Sequence, residues 1–318
     1  MAVTASKGEH ARAQELRGQL VRRLPSLAEL NTRVPILLTE RDRQILSAVH
    51  SHGFLTAELM ELALFPSAEG RAWPSSSAYE RLRQLWLWGY LERVELPVAR
   101  VLGGRRPFLY ALGQRGLTTI RYQRGGAGAA VQRRRLDRLD HVFVDHDLRA
   151  AALWANVSSQ LRERAVRAFS WTPERDLRAR RFRVRDPDRP NSWLPFLPDG
   201  AFEVVYGDGR VKYVLVEIDM GTLTLERFRR KVCAFEELLA RGGFERSFHR
   251  KHFQVAVLMP NRKRLEHLWR VVRDEVRQFR WDAYLFATLD ALEPVAFPTT
   301  RWVTASNQPR GLLDGDNS

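Results

Sequence analysis

The segment that most constrains this chain is a pair of apolar runs that each carry a carboxylate near one end. Leu197-Pro198-Asp199-Gly200 leads into the run Ala201 to Tyr206. Gly207-Asp208-Gly209 supplies a tight turn, and Val211 to Ile218 returns with Glu217 near its far end. A hairpin of this length brings Asp199 and Glu217 to one end of a sheet. Two carboxylates held that close repel unless a cation lies between them, and hard oxygen ligands favour Mg²⁺ or Mn²⁺. The alternative is a surface hairpin with ordinary acidic strand ends, since Pro-Asp-Gly is also a common turn sequence.

The helix expected next, Thr224 to Arg241, has an apolar stripe of Phe228, Val232, Phe235 and Leu239. At 100° per residue Lys231 lies about 60° from the centre of that stripe, leaning toward the sheet. It either serves the carboxylates or snorkels at the edge of a core face. The surrounding order is a helix from His141 to Leu161, a strand Val166 to Trp171 and a loop Thr172 to Pro198. The hairpin and its helix follow, then a strand Phe253 to Met259, a helix Arg262 to Arg277 and a strand Trp281 to Thr288. This predicts an α/β sandwich around a mixed sheet, with Phe253 to Leu258 as a buried central strand. Residues 305–318 are polar, with Gly and Pro, and are predicted to be a disordered tail. His141, Asp145, His146 and Asp147 mimic a metal cluster, but the histidines lack the i, i+4 spacing with which a helix chelates.

The first half predicts a different domain. Thr39 caps a helix from Glu40 to His50, Gly53 ends it, and Thr56 caps a second helix from Ala57 to Leu64. Serines 75–77 introduce a third helix, closed by Gly89. The strands Leu91 to Leu96 and Pro107 to Leu112 flank the basic tip Arg100 to Arg106. Three helices and a hairpin with a Gly/Arg tip give the order of a winged helix-turn-helix, whose third helix enters the major groove of double-stranded DNA while the wing grips the backbone. Ser76, Ser77, Arg81, Arg83 and Gln84 are the expected DNA-facing residues of that helix, and Arg105 and Arg106 the phosphate contacts of the wing. The domain reading is a basic arm (1–37), the winged helix (38–122), a Gly/Arg linker (123–135), the α/β domain (136–304) and the tail (305–318).

Composition sets the boundaries of function. A chain of 318 residues suits two domains, and its net charge of +15, mostly arginine, implies a polyanionic partner. Cys233 is the single cysteine, which excludes internal disulfides and multi-cysteine zinc sites. No apolar run is long enough to span a bilayer, so no membrane partner is expected and the expected location is cytoplasmic. Motifs for a phosphate-binding Gly-Lys-Ser/Thr loop, a Gly-x-Ser-x-Gly elbow and a His-Glu-x-x-His zinc site are absent from the sequence.

Pro198-Asp199, a hairpin and then Glu217 resemble the PD-(D/E)xK nucleases, a superfamily of restriction-endonuclease-like α/β/α fold. More closely, Pro198-Asp199-Gly200 with Glu217-Ile218-Asp219 and Gly221-Thr222, behind a winged helix, resemble the replication-relaxation family of plasmids and other mobile elements, over roughly residues 38 to 290. The resemblance implies a metal-dependent DNA endonuclease in which Asp199 and Glu217 bind Mg²⁺ or Mn²⁺, and it places a supporting histidine near His141. Asp219 stands where the superfamily usually has lysine, and a carboxylate cannot stabilise an anionic transition state. Lys231, or else Arg227, then has to supply that charge, while Asp219 binds a second metal, accepts a proton from water or caps the next helix through its Gly221-Thr222 turn. Two functions stay open. One is an endonuclease of mobile-element replication. The other is a DNA-binding regulator or replication accessory, without cofactor, whose degenerate nuclease domain dimerises or recruits replication proteins.

Overall fold

The computed structural model describes residues 36–65, 76–95, 108–123, 125, 141–189, 191–293, 297 and 300–314. The expected basic arm up to residue 35, the wing tip with Arg105 and Arg106, most of the 123–135 linker and residues 315–318 lie outside them. The chain divides into two compact units, Met1–Val144 and Asp145–Ser318.

In the first unit α1 (Glu40–His52) starts at a capping box. Thr39 Oγ1 accepts from the Asp42 amide at 3.3 Å, and Asp42 accepts from the Thr39 amide at 2.7 Å. Strand β1 (Leu55–Thr56), α2 (Ala57–Leu64), α3 (Ser76–Leu87), β2 (Leu91–Glu95), β3 (Phe108–Leu112) and α4 (Gln114–Gln123) follow. The two long strands pair antiparallel, and β1, which the sequence did not suggest, adds to the far edge of β3. Ile45, Leu46, Met60, Leu82, Leu85 and Tyr110 form buried positions of the unit. Two glycines are required here by close approach. A side chain at Gly113 would collide with the Gly89 carbonyl and one at Gly116 with the Tyr90 carbonyl, where the start of α4 crosses the turn before β2.

The second unit is a mixed seven-stranded sheet between helical layers. Its helices are α5 (His141–Leu161, which begins in the first unit), α6 (Glu174–Ala179), α7 (Leu225–Ala240), α8 (Gly243–Phe248) and α9 (Arg262–Glu275). The strands are β4 (Val166–Pro173), β5 (Arg183–Arg185), β6 (Trp193–Pro195), β7 (Gly200–Tyr206), β8 (Val211–Ile218), β9 (Gln254–Met259), β10 (Tyr284–Thr288), β11 (Trp302–Thr304) and β12 (Pro309–Arg310). The sheet order is β12-β11-β10-β9-β8-β7-β4, with β8-β9 and β9-β10 parallel and the other pairs antiparallel. Strand β9 is buried at every position, as a central strand covered on both faces must be.

Alternation along the strands sorts the core into two layers. Leu215, Val255, Val257 and Phe286 pack with Phe228, Val232 and Phe235 of α7 and Leu268 and Val272 of α9. Val214, Val216, Ala256, Leu258 and Leu285 pack with Leu153, Val157 and Leu161 of α5. Each of the large side chains on α7 contributes roughly 1.5–3 kcal/mol by burial. The stripe on α7 closes with Leu238, fully buried, while Leu239 is half-buried.

Two expectations are corrected. The segment expected as a loop, 172–198, holds the end of β4, α6 and the β5-β6 ribbon, because Leu177, Val184, Leu194 and Phe196 supply enough apolar surface to pin it on the α7 side. The expected tail is ordered as far as residue 314. Strands β11 and β12 extend the sheet and Leu312 and Leu313 are buried, with the Leu313 carbonyl accepting from Arg164 Nη1 and Tyr206 Oη, both at 2.9 Å. Buried Lys212 donates to the carbonyls of Leu312, at 3.1 Å, and Asp314.

Candidate functional site

Pairing of β7 with β8 sets Gly200 opposite Val216, so Asp199 and Glu217 fall at the next position of the same ladder. The Asp199 amide donates to the Val216 carbonyl at 2.9 Å, and its Oδ2 accepts from the Ile218 amide at 2.7 Å. Backbone pairing therefore fixes the Asp199 carboxylate at the sheet end. Glu217 shares a strand face with Leu215, the face turned toward α7.

Lys231 reaches into the gap from α7. Its Nζ lies 2.5 Å from Glu217 Oε2 and 3.2 Å from Asp199 Oδ1. Thr224 starts that helix by accepting from the Arg227 amide at 3.2 Å, and buried Phe228 and Val232 on either side set its rotation. Arg227, the other candidate cation, is exposed.

A histidine completes the cluster from the opposite layer. His146 Nε2 lies 3.3 Å from Asp199 Oδ2, and its Nδ1 lies 3.5 Å from Asp147. His146 continues the sheet-facing stripe of α5, four, seven and eleven residues before Ala150, Leu153 and Val157. That periodicity was the signal for it. His141 opens the same helix, but its side chain lies outside the described ones.

The electrostatics split the two carboxylates. Burial alone would raise Asp199, yet the charges of Lys231 and His146 and the Ile218 amide outweigh it and hold Asp199 well below the carboxylate range. Glu217 goes the other way. Burial, followed by the Asp199 charge, pushes it up to about 8 against the pull of Lys231. Burial disfavours the charged imidazole of His146, but Asp147 and Asp199 more than offset that and push it up to about 10. Lys231 is likewise held above its ordinary value, its burial outweighed by the two carboxylates. Glu217 Oε1 is buried without a hydrogen-bond partner, so one oxygen of the cluster is unsatisfied.

Asp219 does not face this cluster. Its Oδ1 accepts from the Gly221 amide at 2.9 Å, and its Oδ2 accepts from Arg264 Nε, a residue that also donates to the Leu223 carbonyl. The side chain closes an Asx turn at Gly221, where φ is 84°, and ties it to α9.

In the first unit, Arg81 is turned inward. It donates from Nε and Nη2 to the two oxygens of buried Asp42 at 2.8 and 2.5 Å, and from Nη2 to the Leu37 carbonyl at 3.0 Å. Burial would raise Asp42, but the Arg81 and Thr39 hydrogen bonds hold it below its ordinary value. Gln84 accepts from Arg81 at 2.9 Å. Arg83 is exposed, 3.4 Å from Glu80, and Ser77 is also exposed. Ser76 begins α3, and its side chain lies outside those described.

No described helix is long and apolar enough to cross a membrane. Comparison with known proteins matches residues 46–251 to the replication-relaxation family model, which spans β1, the whole hairpin and α7. Searches of curated proteins and of solved structures found no match. With two thirds of its length covered by that model, including both carboxylates, Lys231 and His146, the chain belongs to the replication-relaxation family.

Proposed function

We propose that this chain acts on DNA in the replication of a plasmid or other mobile element, and that its second unit hydrolyses phosphodiesters with a divalent cation. The observation that carries the reading is the meeting of Asp199, Glu217 and Lys231 at one sheet end, with a buried Glu217 oxygen unsatisfied. Among the described residues no three His, Cys, Asp or Glu side chains converge on a metal position. Two carboxylates suit Mg²⁺ or Mn²⁺ nonetheless, because Mg²⁺ keeps several waters and takes its remaining oxygens from the substrate phosphate. Asp199, Glu217 and the Ile218 carbonyl would hold the ion, which when bound polarises the scissile phosphate and acidifies the attacking water.

The protein's own groups supply the rest. Lys231 carries the positive charge that Asp219 cannot, from a helix rather than from the strand, and stands beside both carboxylates where phosphate charge develops. His146 holds Asp199 ionised from the other layer. Asp219 serves the turn that leads to α7. In the first unit, helices α1 to α3 followed by the antiparallel β2-β3 pair support a winged-helix reading, with Ser77, Arg83 and Gln84 toward double-stranded DNA and Arg105 and Arg106 on the wing.

The test is nicking of supercoiled plasmid with Mg²⁺ or Mn²⁺. Wild type is expected to nick, and Asp199→Ala and Glu217→Ala to lose at least about a thousandfold in rate. Equal nicking by all three proteins removes the enzyme. A second reading, a DNA-binding accessory protein, is favoured by the Lys231 ammonium already neutralising the carboxylate pair. Plasmid binding without nicking in wild type would select it.

A further inference from the structure

The β5-β6 ribbon lies outside the carboxylate cluster and outside the helix-and-sheet unit, and its two faces are chemically opposite. Register pairs Arg183 with Pro195, Val184 with Leu194 and Arg185 with Trp193. Val184 and Leu194 are buried in the core with Phe196, whereas Arg183, Arg185, Trp193 and Pro195 face outward. Trp193 is 55% exposed, with the Arg185 guanidinium 5.3 Å above its ring. An outward tryptophan gives up most of the burial its ring offers, so it calls for a partner that covers it.

The charge around it is one-sided. Residues 175–189 hold seven arginines and three aspartates. All three aspartates are engaged within the fold. Asp176 pairs with Arg175 at 3.4 Å and Asp188 with Arg229 at 2.5 Å, and buried Asp186 accepts from Ser192 Oγ at 3.1 Å and Arg230 at 3.4 Å. Arg181, Arg183, Arg185 and Arg189 all remain exposed. The ribbon also leads directly to the chemistry. Three residues separate Pro195 from Asp199, a span of at most about 14 Å.

We infer that the outer face of β5-β6 binds an unpaired DNA strand, with Trp193 stacking on a base and Arg183 and Arg185 taking its phosphates, and feeds that strand toward Asp199. A flat aromatic ring can stack only on a base whose face is open, which selects single-stranded over duplex DNA. The inference rests on the DNA-acting reading above and deepens it.

Fluorescence anisotropy of the full chain with a labelled 20-nucleotide oligothymidylate, in EDTA so that nothing is cleaved, tests it. Trp193→Ala is expected to weaken single-strand binding by about tenfold or more, Trp193→Phe to retain most of it, and the Arg183→Ala/Arg185→Ala pair to lower the salt dependence. Binding to a duplex of the same length should change less than about twofold with Trp193→Ala. Equal losses on both DNAs, or no loss on either, overturn the inference, with thermal melts confirming that the variants fold. Wild type that binds no DNA at all sinks the DNA-acting reading itself. Wild type that binds as well as Trp193→Ala sinks only the ribbon, and plasmid nicking remains an independent measure of the carboxylate site.

Discussion

Two buried clusters in this protein each set carboxylates against cationic side chains and finish differently. In the first unit one carboxylate, Asp42, meets one guanidinium, Arg81, with both oxygens engaged by nitrogens and the helix cap using what remains. In the second unit two carboxylates share one ammonium and one imidazole, and one oxygen has no partner. The closed cluster has nothing left to offer a ligand, so its free energy goes into holding α1 against α3. The open cluster leaves one Glu217 oxygen unsatisfied, which is costly for folding and is the condition under which a cation gains by arriving. Saturation, rather than burial or charge, separates the two clusters.

The largest test of that contrast removes the cation from each. Arg81→Met strands Asp42 in the core and is expected to cost on the order of 3 kcal/mol in urea unfolding. Lys231→Met should cost less, on the order of 1 kcal/mol, because Glu217, pushed up by burial, can take a proton and His146 stays beside Asp199. Equal costs would erase the distinction.

A smaller effect lies in the pH dependence of stability. Glu217 is raised from 4.5 to about 8 and His146 from 6.5 to about 10 by folding. For a raised group the folded state binds the extra proton, so its contribution is full below the unfolded value and is lost as pH climbs through the folded one. The melting temperature should therefore fall between about pH 5 and pH 10. Glu217→Gln should flatten the part between about pH 4.5 and 8. Asp42 is lowered instead, so its contribution is present above 3.8 and fades only as pH drops below that value. A Glu217→Gln profile as steep as wild type would contradict the open-cluster description.

The smallest expected change sharpens the roles of two neighbouring arginines. Arg83→Ala, on the exposed side of α3, should shift stability by less than about 0.5 kcal/mol while weakening duplex DNA binding. If it costs as much stability as Arg81→Met, the division between brace and contact on this helix is mistaken.

How much of this was legible in the sequence depends on how local the information is. The hairpin, α7 and β9 follow from apolar alternation and helical spacing, and Lys231 was placed within reach of the carboxylates by its angle on the α7 stripe. The spacing of His141 and His146 speaks only to chelation between two histidines, whereas His146 meets a carboxylate 53 residues later in the chain. Arg81 looked like a DNA contact because nothing within its own helix reveals that Asp42 lies beneath it. The Thr39-x-x-Asp42 spacing marks a cap, but not the second bond that buries the aspartate. The end of the chain was misjudged for the opposite reason. Its strands are too short to alternate, and Trp302, Leu312 and Leu313 find their places only once the sheet exists.

That last feature has a consequence for synthesis. The unit's first strand in sequence, β4, is one margin of the sheet and its final strand, β12, is the other, while the ammonium of Lys212 is satisfied by carbonyls made about a hundred residues after it. A ribosome therefore releases the β7-β8 hairpin long before the carbonyls that accept from Lys212. Until residues 312–314 emerge, a growing polypeptide lacks two buried leucines of this core layer and two of the carbonyls that accept from Lys212. Nascent chains of this protein should consequently stay protease-sensitive across the second unit until residues 312–314 have been made, well after the first unit has become resistant.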